Sequence, residues 1–329
     1  MNKHIREQVI IALAAGDYVS GQQLGDDLGI SRAAVLKHIN ALADMGLDIF
    51  RTSGKGYKLS QPLNLLSHSK ITKQLLAFNK NNAVSVHHVI DSTNSHLMRC
   101  ITEDTENTMS QGQTCVAEYQ SAGRGRRGRQ WISPYGSHLY LSYYWRLDQG
   151  MSAAMGLSLV AAIAVSDAVK KCFDIDVQLK WPNDIYIQGV KLAGILIELE
   201  GQMSGLSHSV IGIGLNLNMP EKSAEDIDQP WTDLQSHSDL SIDRNQLCAT
   251  LIDCLSERLL QHQDKGLDAM IEQWHKQDVY LNKRVKLITG DRIVVGVCRG
   301  INNQGALMLE VEGTVKAIYG GEVSLRGAE

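Results

Sequence analysis

The sequence predicts an α+β protein of three units: an N-terminal winged helix-turn-helix over residues 1–62, a central mixed-sheet domain over 63–280 and a small β-barrel over 281–329. Three observations carry this. The first 62 residues read helix, helix, glycine turn, helix, hairpin; the middle mixes strands with long helical runs; the end is a series of short alternating strands joined by Gly and Asn turns. A length of 329 residues agrees, at roughly 100–200 residues per domain. The chain is 43% hydrophobic and 21% charged, which excludes disordered, collagen-like and coiled-coil chains. Its net charge of -4 gives no whole-chain sign of a nucleic-acid or membrane-surface partner. The six cysteines show no C-x-x-C pair and no zinc-type spacing, so reduced structural thiols are expected. No secretory signal opens the chain, and the apolar run Gln149 to Ser166 suits a buried helix better than a membrane span, so a cytoplasmic protein without membrane contact is expected.

In the first unit, apolar residues at helical spacing from Ile5 to Ala15 predict a helix ended at Gly16-Asp17. Ser20 can cap a second helix with Leu24 and Leu28 inward, and after Gly29, Ser31 can cap a third with Val35, Ile39 and Leu42 inward. Arg32, Ala33, Lys37, His38 and Asn40 are then read as outward, groove-reading positions. Leu47 to Thr52, the turn Ser53-Gly54-Lys55-Gly56 and Tyr57 to Leu59 form the wing. Seven positive and six negative side chains nearly balance over residues 1–62, but Arg32, Lys37, Arg51, Lys55 and Lys58 fall on the third helix and wing, where phosphates would lie. Gly21, Gln22, Ser31 and Ala34 complete the expected DNA contacts; the alternative is a small docking or dimerisation module.

In the middle unit, a strand from Val84 to Ile90 runs into Asp91-Ser92-Thr93-Asn94, small polar side chains that can cap a helix or hydrogen-bond a ligand amide. After the strand Cys115 to Tyr119 comes Gly123-Arg124-Gly125-Arg126-Arg127-Gly128-Arg129, ending at Gln130-Trp131. It matches G-x-G-x-x-G, yet Pro134 and Gly136 and a strand near His138 leave no room for the crossover helix that a dinucleotide fold needs. Glycine for backbone freedom and arginine for planar donors suit a flexible lid over a phosphate-bearing ligand; a solvated basic loop or second DNA contact is the alternative. A strand from Leu139 to Trp145 and a helix from Ser152 to Lys171 follow. Lys180-Trp181-Pro182-Asn183-Asp184 then leads to Lys191-Leu192-Ala193-Gly194-Ile195, a hairpin with lysine at its rim. Such a lysine often merely snorkels, but a glycine inside a strand marks close approach of a ligand or backbone, so Lys191 and Gly194 could flank one pocket. Gly212, Gly214, Asn216 and Asn218 repeat that small-and-amide pattern on the next strand, and no G-x-x-x-x-G-K-[ST] occurs, so any nucleotide binds without a P-loop.

These four motifs in this order, behind a winged helix, closely resemble the biotin protein ligases, and specifically the bifunctional bacterial form that also represses the biotin operon. The resemblance covers essentially the whole chain. It implies a biotin/lipoate-ligase-like central domain, an SH3-like C-terminal barrel, and a two-step reaction: biotin and MgATP give biotinyl-5'-AMP, then biotin passes to one lysine of the biotin carboxyl carrier protein of acetyl-CoA carboxylase. It further implies that biotinyl-AMP acts as corepressor, promoting a homodimer that binds operator DNA. Residue by residue, it implies Lys191, Arg126 and Asp184 as catalytic, and Ser92, Thr93, Asn94, Gln120, Gly123, Arg124, Gly125, Arg126, Lys191, Gly194 and Ile195 at biotin. Arg126, Arg129, Trp131, Lys180, Asn183, Asn216, Trp231 and Arg326 would serve ATP and the adenylate; the metal ligands are left open. Where the family often has Met-Gly-Gly-Glu, this chain has Tyr319-Gly320-Gly321-Glu322. Two other readings are a ligand-sensing repressor without catalysis and a lipoate-type acyl-adenylate ligase.

Overall fold

A computed structural model describes residues 3–328 apart from 107, 203, 204, 226, 228, 321 and 322, so Gly321 and Glu322 of the Tyr319 motif lie outside the described residues. Helix α1 (Lys3–Leu13) is followed by α2 (Gly21–Leu28) and α3 (Arg32–Ala43). Ser20 Oγ accepts from the Gln22 and Gln23 amides and Ser31 Oγ from the Ala34 amide at 3.2 Å, satisfying donors that each helix start leaves over. Gly29 adopts φ 64° between them, a left-handed conformation that glycine takes without strain. Strands β1 (Ile49–Thr52) and β2 (Gly56–Leu59) pair antiparallel as the wing. Val9, Ile10, Leu13, Val35, Ile39 and Leu42 are fully buried among them.

Gln22, Ser31, Arg32, Ala33, Lys37, Asn40 and Lys55 face solvent, and Ala34 is half-buried. Two expected DNA contacts do not. His38 is only 5% exposed, because it shares the 35, 38, 39, 42 stripe that faces the core. Gly21 is buried, and a Cβ there would meet the Tyr57 ring at 2.8 Å; it is a packing glycine.

Helix α4 (His68–Ala77) leads into the central sheet. In chain order come β3 (Val84–His87), α5 (Thr93–Glu103), β4 (Thr114–Ala117), β5 (His138–Leu147), α6 (Leu157–Phe173), β6 (Gln178–Lys180), β7 (Asp184–Ile187), β8 (Val190–Gly201) and β9 (Ser207–Asn216). The spatial order is β3-β4-β5-β9-β8-β7-β6, with β3 and β4 parallel and the other pairs antiparallel. The short α7 (Glu221–Ala224), then α8 (Arg244–Lys265) and α9 (Ile271–Gln277) complete the unit. Side chains alternate across the sheet: Leu139, Leu141 and Tyr143 of β5 and Ile211, Ile213 and Leu215 of β9 join the core with α6 and α8. Ser142, Gly212, Gly214 and Asn216 therefore point to the opposite face. The helical run Met151–Phe173 is long and apolar enough to cross a membrane by composition, but Val160 to Val165 are fully buried against this core. Helix α6 begins at Leu157 rather than Ser152 because Gly156, at φ 81°, sits against Leu267 and breaks the run.

A buried ion pair lies inside the central unit. Arg244 Nη1 lies 2.6 Å from Glu118 Oε2, with side-chain exposures of 5% and 0%. The same guanidinium donates to the carbonyls of His138 and Asn64, and Glu118 Oε1 accepts from the Leu66 amide. Nearby, Tyr135 belongs to the winged-helix core although it precedes β5: its amide donates to Met45 O at 2.9 Å and its hydroxyl meets His88 Nδ1 at 2.7 Å. Pro134 packs so tightly on Gly46 that a Cβ there would lie 2.9 Å from it.

Buried His138 accepts the Leu217 amide at Nδ1 (2.9 Å), and burial pushes its pKa down to about 3. The unfolded chain takes up a proton there near pH 6.5 and the folded one does not, so stability falls as pH drops through 6.5. The loss reaches about 2 kcal/mol by pH 5. His87, His96, His208 and His262, also held low by burial, add in the same direction. Denaturant unfolding at a series of pH values checks this: His138→Asn flattens the pH 4–6.5 slope, and a slope like wild type's contradicts it.

The C-terminal strands β10 (Arg284–Thr289), β11 (Arg292–Ile301), β12 (Leu307–Val311), β13 (Thr314–Ile318) and β14 (Val323–Gly327) form an antiparallel sheet in the order β13-β12-β11-β10-β14. Trp181 Nε1 donates to Gly305 O at 3.0 Å, holding this sheet beside the central one.

Candidate active site

A cavity of about 710 Å³ opens on the face of the central sheet away from α6 and α8. Its floor is carved by glycine: Gly194 of β8 pairs with Gly214 of β9, and a Cβ on Gly214 would collide with the Trp131 indole. One Cβ on Gly212 would likewise collide with the Asn94 amide. Glycine inside these strands is thus explained by what lies on top of them.

At one end stands the start of α5. Ser92 caps the helix by accepting from Ser95 N, Thr93 donates to Gln120 Oε1 through both its amide (2.9 Å) and its hydroxyl (3.1 Å), and Ser142 Oγ donates to Asn94 Oδ1. Asn94 Nδ2 in turn donates to Glu198 Oε2 at 2.8 Å, and Arg124 forks onto both Glu198 oxygens at 2.9 Å.

At the other end stand the cations. Between β7 and β8 the register shifts from Ile185↔Ala193 to Tyr186↔Lys191, so Leu192 is an extra residue and Lys191 and Gly194 reach the same side. Lys191 Nζ lies 2.8 Å from Asp184 Oδ1 and 5.7 Å from the Trp131 ring centre. Arg126 donates to Asn183 Oδ1 at 2.9 Å, and Lys180 to the Tyr186 hydroxyl at 2.8 Å. Burial, first of all, lowers the pKa of both Arg126 and Lys180. Arg129 also lines the cavity, and Asp184 is the one carboxylate among the described lining residues, so the site calls for an anion. Trp231 is bridged to Lys191, and the adjacent Thr232 carbonyl accepts from Asn216 Nδ2 at 3.0 Å.

The arginine-glycine segment is a loop closed at its neck: Trp131 N donates to Gly123 O (2.9 Å) and Gly125 N to Arg129 O (2.7 Å), with a short 3-10 turn Arg126–Gly128 between. No crossover helix follows, in keeping with the rejection of a dinucleotide motif. The cavity brings together Ser92, Thr93, Asn94, Gln120, Arg124, Gly125, Arg126, Arg129, Trp131, Lys180, Asn183, Asp184, Lys191, Gly194, Ile195, Asn216 and Trp231. Two expected residues stand outside its lining. Gly123 is in the neck, where a Cβ would meet Trp131 O at 2.6 Å. Arg326 is exposed on β14, and its neighbours Ser324 and Leu325 line the cavity instead.

Residues 86–216 match the Biotin/lipoate A/B protein ligase family, residues 5–58 an HTH domain and residues 280–326 the Biotin protein ligase C terminal domain. The chain is 46% identical over 322 residues to "Bifunctional ligase/repressor BirA" of Escherichia coli strain K12, covering 98% of this chain and 97% of that one. The chain belongs to the BirA family of bifunctional ligase/repressors. The BirA of Bacillus subtilis strain 168 is 30% identical over 99% of this chain and 100% of its own length. Among solved structures, the biotin protein ligase from Aquifex aeolicus in complex with biotin and ATP superposes with a TM-score of 0.63 at 29% identity, over 75% of this chain and all of that one.

For this BirA-family chain, three site residues escaped the sequence. Glu198 holds both Arg124 and Asn94, and its only signal is a lone acid in the apolar run Ile195 to Leu199. Ser142 is a hydroxyl in an aromatic strand, and Leu325 comes from the C-terminal sheet, a contact no local pattern announces.

Proposed function

We propose that this chain activates biotin with MgATP and transfers it to a lysine of the biotin carboxyl carrier protein of acetyl-CoA carboxylase, and that it represses the biotin operon through its winged helix. In the first step a biotin carboxylate oxygen attacks the α-phosphorus of ATP, and the bond to pyrophosphate breaks. In the second the acceptor's ε-amine attacks the acyl carbon, AMP leaves with the bonding electrons, and the amine gives up a proton. No enzyme nucleophile is needed, so the chain's task is to bring two anions together and hold them in line.

The observation that carries this reading is the meeting of Arg126, Lys180 and Lys191 at one end of a cavity whose other end is the amide- and hydroxyl-rich start of α5. Thr93, Asn94 and Gln120 would hold the biotin ring over the glycine floor. Lys191 would sit between the carboxylate and the α-phosphate and reduce their repulsion, with Arg126 fixed by Asn183 above them. Asp184 orients Lys191. The Asp184 carboxylate and the substrate's own phosphates suit Mg²⁺, which supplies charge neutralisation at the polyphosphate. The buried Trp131 Nε1, which has no hydrogen-bond partner among the described residues, would donate to a bound ligand. Biotin-dependent exchange of labelled pyrophosphate into ATP tests the reading. Exchange with biotin and none with lipoate is expected; exchange with lipoate alone, or with neither, overturns it.

For the regulatory half, the adenylate-bound chain would act as a homodimer on palindromic DNA in the cytoplasm. If each protomer neutralises about five phosphates with Arg32, Lys37, Arg51, Lys55 and Lys58, log K falls against log[salt] with a slope of about -9 for the dimer. A slope near zero in operator titrations over a range of salt overturns the DNA assignment.

A further inference from the structure

Behind the α5 start, on a rim the reaction does not use, three donors from three elements lie together and Cys100 stands beside one of them. His87 ends β3, Cys115 sits on β4, and the parallel register Ser85↔Cys115, His87↔Ala117 turns both to the same face. Across that face runs α5, carrying His96 and Cys100 one turn apart. A ring nitrogen of each histidine and the Cys115 sulfur all lie within 4.8 Å of one another. Cys100 Sγ is 3.8 Å from His96 Nε2, and the two imidazoles are 4.7 Å apart. His87 Nε2 is shielded from solvent and has no hydrogen-bond partner among the described residues.

We propose that His87, His96, Cys100 and Cys115 form a zinc-binding site. Tetrahedral zinc, at about 2.0–2.1 Å from nitrogen and 2.3 Å from sulfur, sets donors about 3.3–3.8 Å apart. The cluster is within side-chain rotation of that arrangement. Two imidazoles and two thiols are a donor set for zinc and not for Mg²⁺, which takes oxygen, so the site does not compete with MgATP. Burial lowers both histidines and raises both thiols, leaving all four groups uncharged without a cation. On binding, the two thiols lose their protons to solvent and the thiolates ligate the metal. Cys115 is fully buried, while the other three donors are partly exposed and give the ion a way in. The metal clamps α5 to the outer strands β3 and β4, and α5 is the helix whose first turn presents Thr93 and Asn94.

Titrating the reduced, metal-stripped full-length protein with Co²⁺ tests this. One equivalent should produce a thiolate-to-cobalt charge-transfer band that zinc displaces. His96→Gln, at a partly exposed position, should weaken binding by on the order of a hundredfold or more, as should Cys115→Ala, whereas Cys172→Ala on α6 should leave it unchanged. Zinc should raise the unfolding temperature of wild type and not of His96→Gln. Retained biotin-dependent exchange in His96→Gln shows that this variant folds. No thiolate band in wild type, or an undiminished band in His96→Gln, overturns the proposal.

Discussion

Lys191→Ala should lower biotin-dependent pyrophosphate exchange by roughly two to three orders of magnitude, about 3–4 kcal/mol of transition-state stabilisation. Removing the ammonium does two things at once. It deletes the cation placed where two anions meet, and it leaves Asp184, 2.8 Å away, as an unopposed carboxylate facing them. The loss should appear in the exchange rate more than in biotin affinity, because the α5 end of the cavity is untouched. Lys191→Arg should recover little, since a planar fork cannot replace a point charge beside Asp184 and over Gly194. Steady-state exchange with biotin titrations on all three proteins measures this, and an alanine variant within fivefold of wild type removes Lys191 from the mechanism.

Arg244→Met should cost about 3–5 kcal/mol of stability, because it strands a fully buried Glu118 carboxylate and two backbone carbonyls at once. Much of this should return in Arg244→Met with Glu118→Gln, since the charge rather than the contact area is what the single variant leaves uncompensated. Denaturant unfolding followed by tryptophan fluorescence reads both. A single variant within about 0.5 kcal/mol of wild type would mean that water reaches Glu118.

Much of the winged helix was legible because its signals are local: Ser20, Gly29 and Ser31 cap or turn helices within four residues of where they stand. His38 was misread for a reason equally local, since helical spacing alone puts it beside both Val35 and Leu42, and its polarity outweighed its position. In the central domain the glycines told more than the charges. Gly194 and Gly214 marked the cavity floor because small residues in strands need a reason from outside the strand. What brings Lys191 to the same side as Gly194 is a bulge at Leu192, which no periodicity contains. Glu198 and Leu325 reach the site through pairings more than 70 residues apart in the chain, and the His87, His96, Cys115 cluster likewise joins two strands and a helix. Spacing rules for metal sites look along one segment and pass over such a cluster.

The chain leaves the lid at Trp131, above the glycine floor, and by Tyr135 it is already inside the winged-helix core. Ser133, which accepts from Gln120 Nε2, and Pro134, wedged on Gly46, fill the space between. The cavity and the winged-helix core are therefore joined through residues 131–135, a short segment with a proline in it and hydrogen bonds at both ends. Four positions along the chain separate the indole on the cavity floor from Tyr135, whose amide donates to the Met45 carbonyl just past the end of α3.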